Sequence, residues 1–141
     1  MLVASPRVEV IPMPLVRIDV QQGRTPAELR KIADVVQGVM LDVFAAPPKD
    51  RYQIITEHPV GHIIAEDTGL GFERTDGVVV IQIVQQGRTT EQKQAAYEQL
   101  AKRLDAECDV APTDLIVSVV ANGREDWSFG LGRAQFLEGD L

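Results

Sequence analysis

Apolar side chains crowd the stretch from Leu15 to Val20 (Leu15, Val16, Ile18, Val20), a short run closed by Gly23 that predicts a strand. The period then changes. Leu29, Ile32, Val35, Val36, Val39, Met40 and Val43 recur three and four residues apart, one face of a helix. Thr25-Pro26-Ala27-Glu28 supplies its start: a threonine N-cap, proline at the first helical position and a glutamate that closes a capping box. Pro47 and Pro48 predict the stop, and Arg51–Thr56 reads as a second strand. The same order follows downstream. Val78–Val84 predicts a strand, Thr89-Thr90-Glu91-Gln92 a helix start, and Tyr97, Leu100 and Leu104 the buried face of that helix. Pro112 stops it, and Leu115–Val120 is a closing strand.

The repetition is literal. Gln21-Gln22-Gly23-Arg24-Thr25 returns 64 residues later as Gln85-Gln86-Gly87-Arg88-Thr89, and the same offset lays Pro48 on Pro112 and Asp50 on Asp114 without a gap. Each copy is a β-α-β unit, long enough for a helical crossover and so for parallel strands within the copy. The predicted fold is α/β of the α+β kind: two tandem units, residues 14–56 and 78–120, share a four-stranded sheet with both helices on one face. The intervening segment, with Asp67-Thr68-Gly69-Leu70-Gly71, reads as turns. Strands so rich in Val and Ile predict that the uncovered face of the sheet is buried too, hence oligomerisation.

The chain has 141 residues, room for one compact domain, and a net charge of −7 that argues against nucleic acid or an anionic membrane as partner. A single cysteine excludes an internal disulfide and fits a reducing, cytoplasmic setting. Residues 1–13 stand outside the repeat and lack the apolar core of a secretory signal. Two readings fit them: an arm pairing as an edge strand through Val8–Ile11, or a tag or over-long start with translation from Met13.

Pro14 aligns with Val78 under the 64-residue offset. With Met13 removed as initiator, Pro14 is a free secondary amine. In an apolar pocket such an amine titrates low enough to act as acid, base or iminium-forming nucleophile. A proline opening a strand is the plainer alternative. Arg24 and Arg88 each precede a helix N-cap, where a guanidinium and free N–H groups suit a carboxylate; each is also an ordinary turn arginine. Asp50, after the Pro-Pro turn, is a strand-start residue or a site carboxylate. The tail from Asp126 to Leu137 carries Trp127, Phe129 and Phe136 without helical or alternating period, and either caps the sheet or walls a pocket. His58 and His62 are separated by Pro59 and Gly61, which argues against a helical metal pair, and no cysteine or carboxylate pattern completes a metal site. Acidic neighbours argue against a reactive Cys108.

From Pro14 onward the chain resembles the tautomerase superfamily, which uses an amino-terminal proline, and within it the malonate semialdehyde decarboxylase branch. The resemblance rests on Pro14-Leu15 with Gly23-Arg24-Thr25, Asp50-Arg51-Tyr52-Gln53, Glu66-Asp67-Thr68-Gly69-Leu70-Gly71, and Asp126-Trp127-Ser128-Phe129-Gly130 with Gly132-Arg133-Ala134 and Phe136-Leu137. It implies a trimer and the cofactor-free decarboxylation of a small 3-oxo acid, malonate semialdehyde, with hydratase activity beside it. Pro14 would be the cationic amine, Asp50 the active-site aspartate, and Arg88 the arginine on the substrate carboxylate. Trp127, Phe129, Phe136 and Leu141 would form an apolar wall. One position departs from the pattern: Gln86 stands where the family carries a second arginine. The alternative is a trimeric binding or scaffold protein of the same fold with little or no activity.

Overall fold

The computed structural model describes residues 14–140. Leu141 and both readings of residues 1–13 lie outside the described residues. The elements run β1 (Leu15–Gln21), α1 (Pro26–Phe44), β2 (Tyr52–His58), β3 (Val79–Gln86), α2 (Thr90–Cys108), β4 (Leu115–Asn122) and α3 (Gln135–Glu138), with single 3₁₀ turns at Pro112–Asp114 and Arg124–Asp126. The sheet order is β2-β1-β3-β4, with β1 parallel to β2, β3 parallel to β4, and the two halves joined antiparallel through β1 and β3. The two predicted units therefore form one mixed four-stranded sheet.

Both helices start as the sequence dictates. Thr25 Oγ1 accepts from Glu28 N at 3.2 Å while Thr25 N donates to Glu28 Oε1 at 3.0 Å. Thr89 and Gln92 repeat the box at 3.1 and 3.0 Å. They do not stop where the prolines predict. Ala45 and Asp109 are left-handed at φ 51° and 56°, and Ala46 N and Val110 N close back onto Met40 O and Leu104 O at 3.2 and 3.1 Å. This six-to-one closure ends each helix before any proline is reached.

The core lies between the helices and one face of the sheet. Val16, Ile18 and Val20 of β1 join Val79, Ile81 and Ile83 of β3, under Ile32, Val36, Val39 and Met40 of α1 and Ala96, Leu100 and Leu104 of α2. Each fully buried aliphatic side chain contributes roughly 1.5–3 kcal/mol. Tyr97, expected on the buried face of α2, is exposed, and Ala96 takes that position. The matching strand residues stand 63 apart, not 64, as Val16 with Val79 and Val20 with Ile83. The helix caps keep 64. One extra residue enters between β3 and its helix, and two are lost between that helix and β4, so the partner of Pro14 within the strands is Gly77 rather than Val78.

The opposite face is less apolar than Val and Ile counts suggest. Leu15, Ile54, Val80, Val84, Ile116 and Val120 share it with Arg17, Asp19, Gln82 and His58, and His58 Nε2 meets Asp19 Oδ1 at 2.7 Å. Alternation assigns half of each strand to this side, and Arg17, Asp19 and Gln82 of the two central strands fall there.

Ala45 carries a Cβ in the left-handed region, which costs roughly 1–2 kcal/mol, part of which glycine gives back as unfolded-chain entropy. We expect Ala45→Gly to stabilise the fold by about 0.5–1 kcal/mol in urea denaturation; a lower midpoint would reject this account of the cap.

Candidate active site

Strand direction gathers the predicted residues. β1 and β2 begin, and β3 and β4 end, at the same edge of the sheet. Pro14 and Asp50 therefore precede β1 and β2 there, Gln85 and Gln86 finish β3, Arg88 follows, and Asn122 finishes β4. Pro14 is buried at the head of its strand. Continuing the β1–β3 register past Leu15↔Val84 sets Pro14 opposite Gln85, both on the helix-covered face.

Arg88 bends under the sheet rather than into the open. Its Nη2 donates to Phe44 O at 3.2 Å, its Nη1 to Gln86 O at 3.4 Å, and the guanidinium lies 5.3 Å from the Phe44 ring centroid. Burial lowers its pKa, the direction expected when a cation loses water. Gln86 faces the other side of the sheet, paired with Asn122, and its Nε2 is buried with no hydrogen-bond partner. Asp50 sits in the turn, where its N–H closes onto Pro47 O at 2.9 Å. Its carboxylate has no hydrogen-bond or ion-pair partner among the described residues, and burial pushes its pKa up.

The tail builds a wall. Trp127 stacks on Phe129 at 5.4 Å and 10°, and Phe136 meets Phe129 edge-on at 5.2 Å. Sequence reasoning found these three but missed the fourth ring: Tyr52, at the start of β2, lies 5.9 Å from Phe129. Parallel pairing of β2 with β1 places it there, and no local pattern could announce it. The wall is held by polar contacts. Trp127 Nε1 donates to Asn122 Oδ1 at 2.9 Å, and Gln135 of the short helix α3 accepts from Phe129 N and donates to Gly130 O at 2.9 and 2.8 Å. Periodicity could not reveal α3, which has only four residues.

The remaining candidates are structural. Arg24 donates to Gly77 O at 2.8 Å, and Asp114 is buried and accepts from Thr75 N at 2.7 Å and from Thr75 Oγ1. His58 is held by Asp19, and the glycines at 69 and 71 donate to the Asp67 carboxylate at 3.0 Å each. Burial is the main cause raising the Cys108 thiol, with Glu107 adding to it.

Because the folded state holds the Asp50 proton more tightly than the unfolded chain, this group favours the fold at low pH. That contribution is lost as pH rises through the raised folded value. Asp50→Asn should therefore be at least as stable as the parent at neutral pH, with its urea midpoint gaining on the parent's as pH rises from about 4 to 7. A variant less stable at neutral pH would contradict it.

Comparison with known proteins agrees with this geometry. Residues 14–73 and 50–130 match two family profiles, each described as tautomerase enzyme. The probable tautomerase YrdN of Bacillus subtilis (strain 168) is 53% identical over 129 residues, which span 92% of this chain and 100% of that protein. A malonate semialdehyde decarboxylase, solved as wild type, as a proline-to-alanine variant at its first residue and as inactivated protein, superposes with TM-score 0.86 at 42% identity, covering 90% of this chain and 98% of that one. The FG41 malonate semialdehyde decarboxylase inhibited by 3-bromopropiolate gives TM-score 0.86 at 43% identity, covering 90% and 97%. Fold, duplicated unit and sequence identity together make this chain a member of the tautomerase family.

Proposed function

We propose that the protein decarboxylates malonate semialdehyde or a closely similar 3-oxo acid without a cofactor, with Pro14 as its working amine. The observation that carries this is the convergence of Pro14, Asp50, Gln86, Arg88 and the aromatic wall at one edge of the sheet. The relatives solved as malonate semialdehyde decarboxylases support the choice of substrate.

In this reading Arg88 and the Gln86 amide hold the substrate carboxylate. The cationic Pro14 nitrogen donates to the aldehyde oxygen. The bond between the carboxylate carbon and C2 breaks, its electron pair passes into an enolate stabilised by that N–H, and CO2 leaves. Protonation of C2 then gives acetaldehyde. Trp127, Phe129, Phe136 and Tyr52 exclude water from the reacting carbons. Asp50, lacking a partner and raised by burial, is suited to hold a water or exchange a proton, the role hydration of an unsaturated acid would need.

Gln86 donates one neutral hydrogen bond where an arginine would give a charged pair, a difference of roughly 1.5–3 kcal/mol. A mixed face bearing Leu15, Ile54, Val84 and Val120, with Ile64 and Leu131 87% and 94% exposed, supports association of three copies over this side of the sheet.

Mass spectrometry of the purified protein and assay of the chain beginning at Pro14 beside the full chain test the proposal together. We expect turnover only where the Pro14 nitrogen is unacylated, and its loss in Pro14→Ala. Turnover by a form that keeps residues 1–13 would exclude the amine mechanism. No turnover by either form would favour the non-catalytic trimeric binding protein. Gln86→Arg should raise kcat/KM roughly tenfold or more, mainly through KM; an unchanged value would mean that the missing charge is not limiting.

A further inference from the structure

Gln85 is 0% exposed, and neither its Nε2 nor its Oε1 has a hydrogen-bond partner among the described residues. Buried amides in native proteins are almost always bonded, and one left open at both ends calls for a reason. The same chain shows how such a group is ordinarily satisfied. Gln21, 4% exposed in the identical sequence motif, accepts from Gly61 N at 2.6 Å and donates to Asp76 O at 3.2 Å. Gln85 lies instead on the helix-covered face, because the strands repeat at 63 residues and the motif at 64. There the register makes Pro14 its neighbour across the pair.

We propose that Gln85 is the positioning residue of Pro14: its Oε1 accepts one N–H of the cationic pyrrolidine, fixing the ring so that the other N–H points at the substrate carbonyl. This rests on the reading of Pro14 as the working amine. A pyrrolidinium has two donors and no acceptor, so it matches the oxygen of the open amide. The hydrogen bond favours the charged form and holds the proton where the enolate develops. The other charged groups at this edge are Arg88, turned to Phe44 O, Asp50 in the α1–β2 turn, and Arg124 of the tail, whose Nη2 donates to Phe136 O at 3.3 Å. Asp42 of α1 is taken by Arg103 at 2.7 Å. At the ends of β3 and β4, Gln86 and Asn122 are neutral.

The test uses the chain beginning at Pro14, which keeps every strand and helix of the described fold, with ¹⁵N-labelled proline. Only Pro14 among its prolines then has a titrating nitrogen. Gln85→Met keeps length and removes the acceptor; Gln85→Glu places a carboxylate there. We expect Met to increase the acid dissociation constant of Pro14 by about tenfold and Glu to decrease it by at least as much. In the assay Met should lower kcat with little change in KM, and the limb on which activity falls with rising pH should move to lower pH. Titration curves of both variants that coincide with the parent would overturn the proposal. So would a Met variant that loses stability without moving the titration. Should Glu fail to fold, Met alone decides. Absence of turnover with a shifted titration would reject the substrate assigned above and leave Gln85 in place.

Discussion

Everything at the candidate site depends on one pairing, β1 antiparallel to β3. The crossovers make each half parallel within itself. Joining the halves antiparallel through their first strands is what brings the beginnings of β1 and β2 to the ends of β3 and β4. Had the strands met in the same direction, Pro14 and Arg88 would stand at opposite edges. The pairing holds because Val16, Ile18 and Val20 and their partners Ile83, Ile81 and Val79 must all face the helices, and a slip by one residue would turn the whole set to the other side.

That constraint also explains what could be read from the sequence. The capping boxes, the helical stripe of α1 and the short Val/Ile runs are local signals, and each produced its element. The aromatics of the tail were visible by composition, and the structure stacks them. Three features were not legible, each for a physical reason. The helix stops lie in left-handed caps at Ala45 and Asp109, residues with no glycine to mark them. Tyr52 joins the wall only through pairing across the sheet. The gapless repeat aligned Pro14 with Val78, whereas the strands run one residue out of step with their helices. A sequence offset aligns letters, but a strand reads only parity, so one residue decides whether Gln85 lies under the helices or opposite them.

The chemistry follows from how unevenly the buried polar groups are satisfied. Arg51, beside the site, is tied to Gln53 Oε1 and Asp34 Oδ1 at 2.9 and 2.7 Å, and Arg133 holds Asp140 with two contacts at 2.9 and 3.1 Å. These exposed or half-exposed pairs shape the turn and the tail and contribute little each to stability. Asp50, Gln85 and the Gln86 amide nitrogen are different: Gln85 and the Gln86 nitrogen are buried, Asp50 partly so, and their side-chain polar groups have no hydrogen-bond partner among the described residues. Such groups cost stability where they sit, and all three stand at the same edge of the sheet.

The duplication sharpens the point, because the molecule has two such edges, and the described linker residues close one of them. At the far edge the linker residues Thr75, Asp76 and Gly77 run into β3, and their backbone meets three polar side chains: Arg24 donates to Gly77 O, Gln21 donates to Asp76 O, and Asp114 accepts from Thr75 N. At the near edge the corresponding place belongs to whatever precedes β1. A chain that begins at Pro14 has no residue there to offer those carbonyls. Arg88, Gln86 and Gln85 would then meet a ring nitrogen and an incoming carboxylate where their counterparts meet peptide oxygens. In a duplicated β-α-β protein, sealing one edge with a linker and opening the other with a terminus would make a single reactive centre from two equivalent halves.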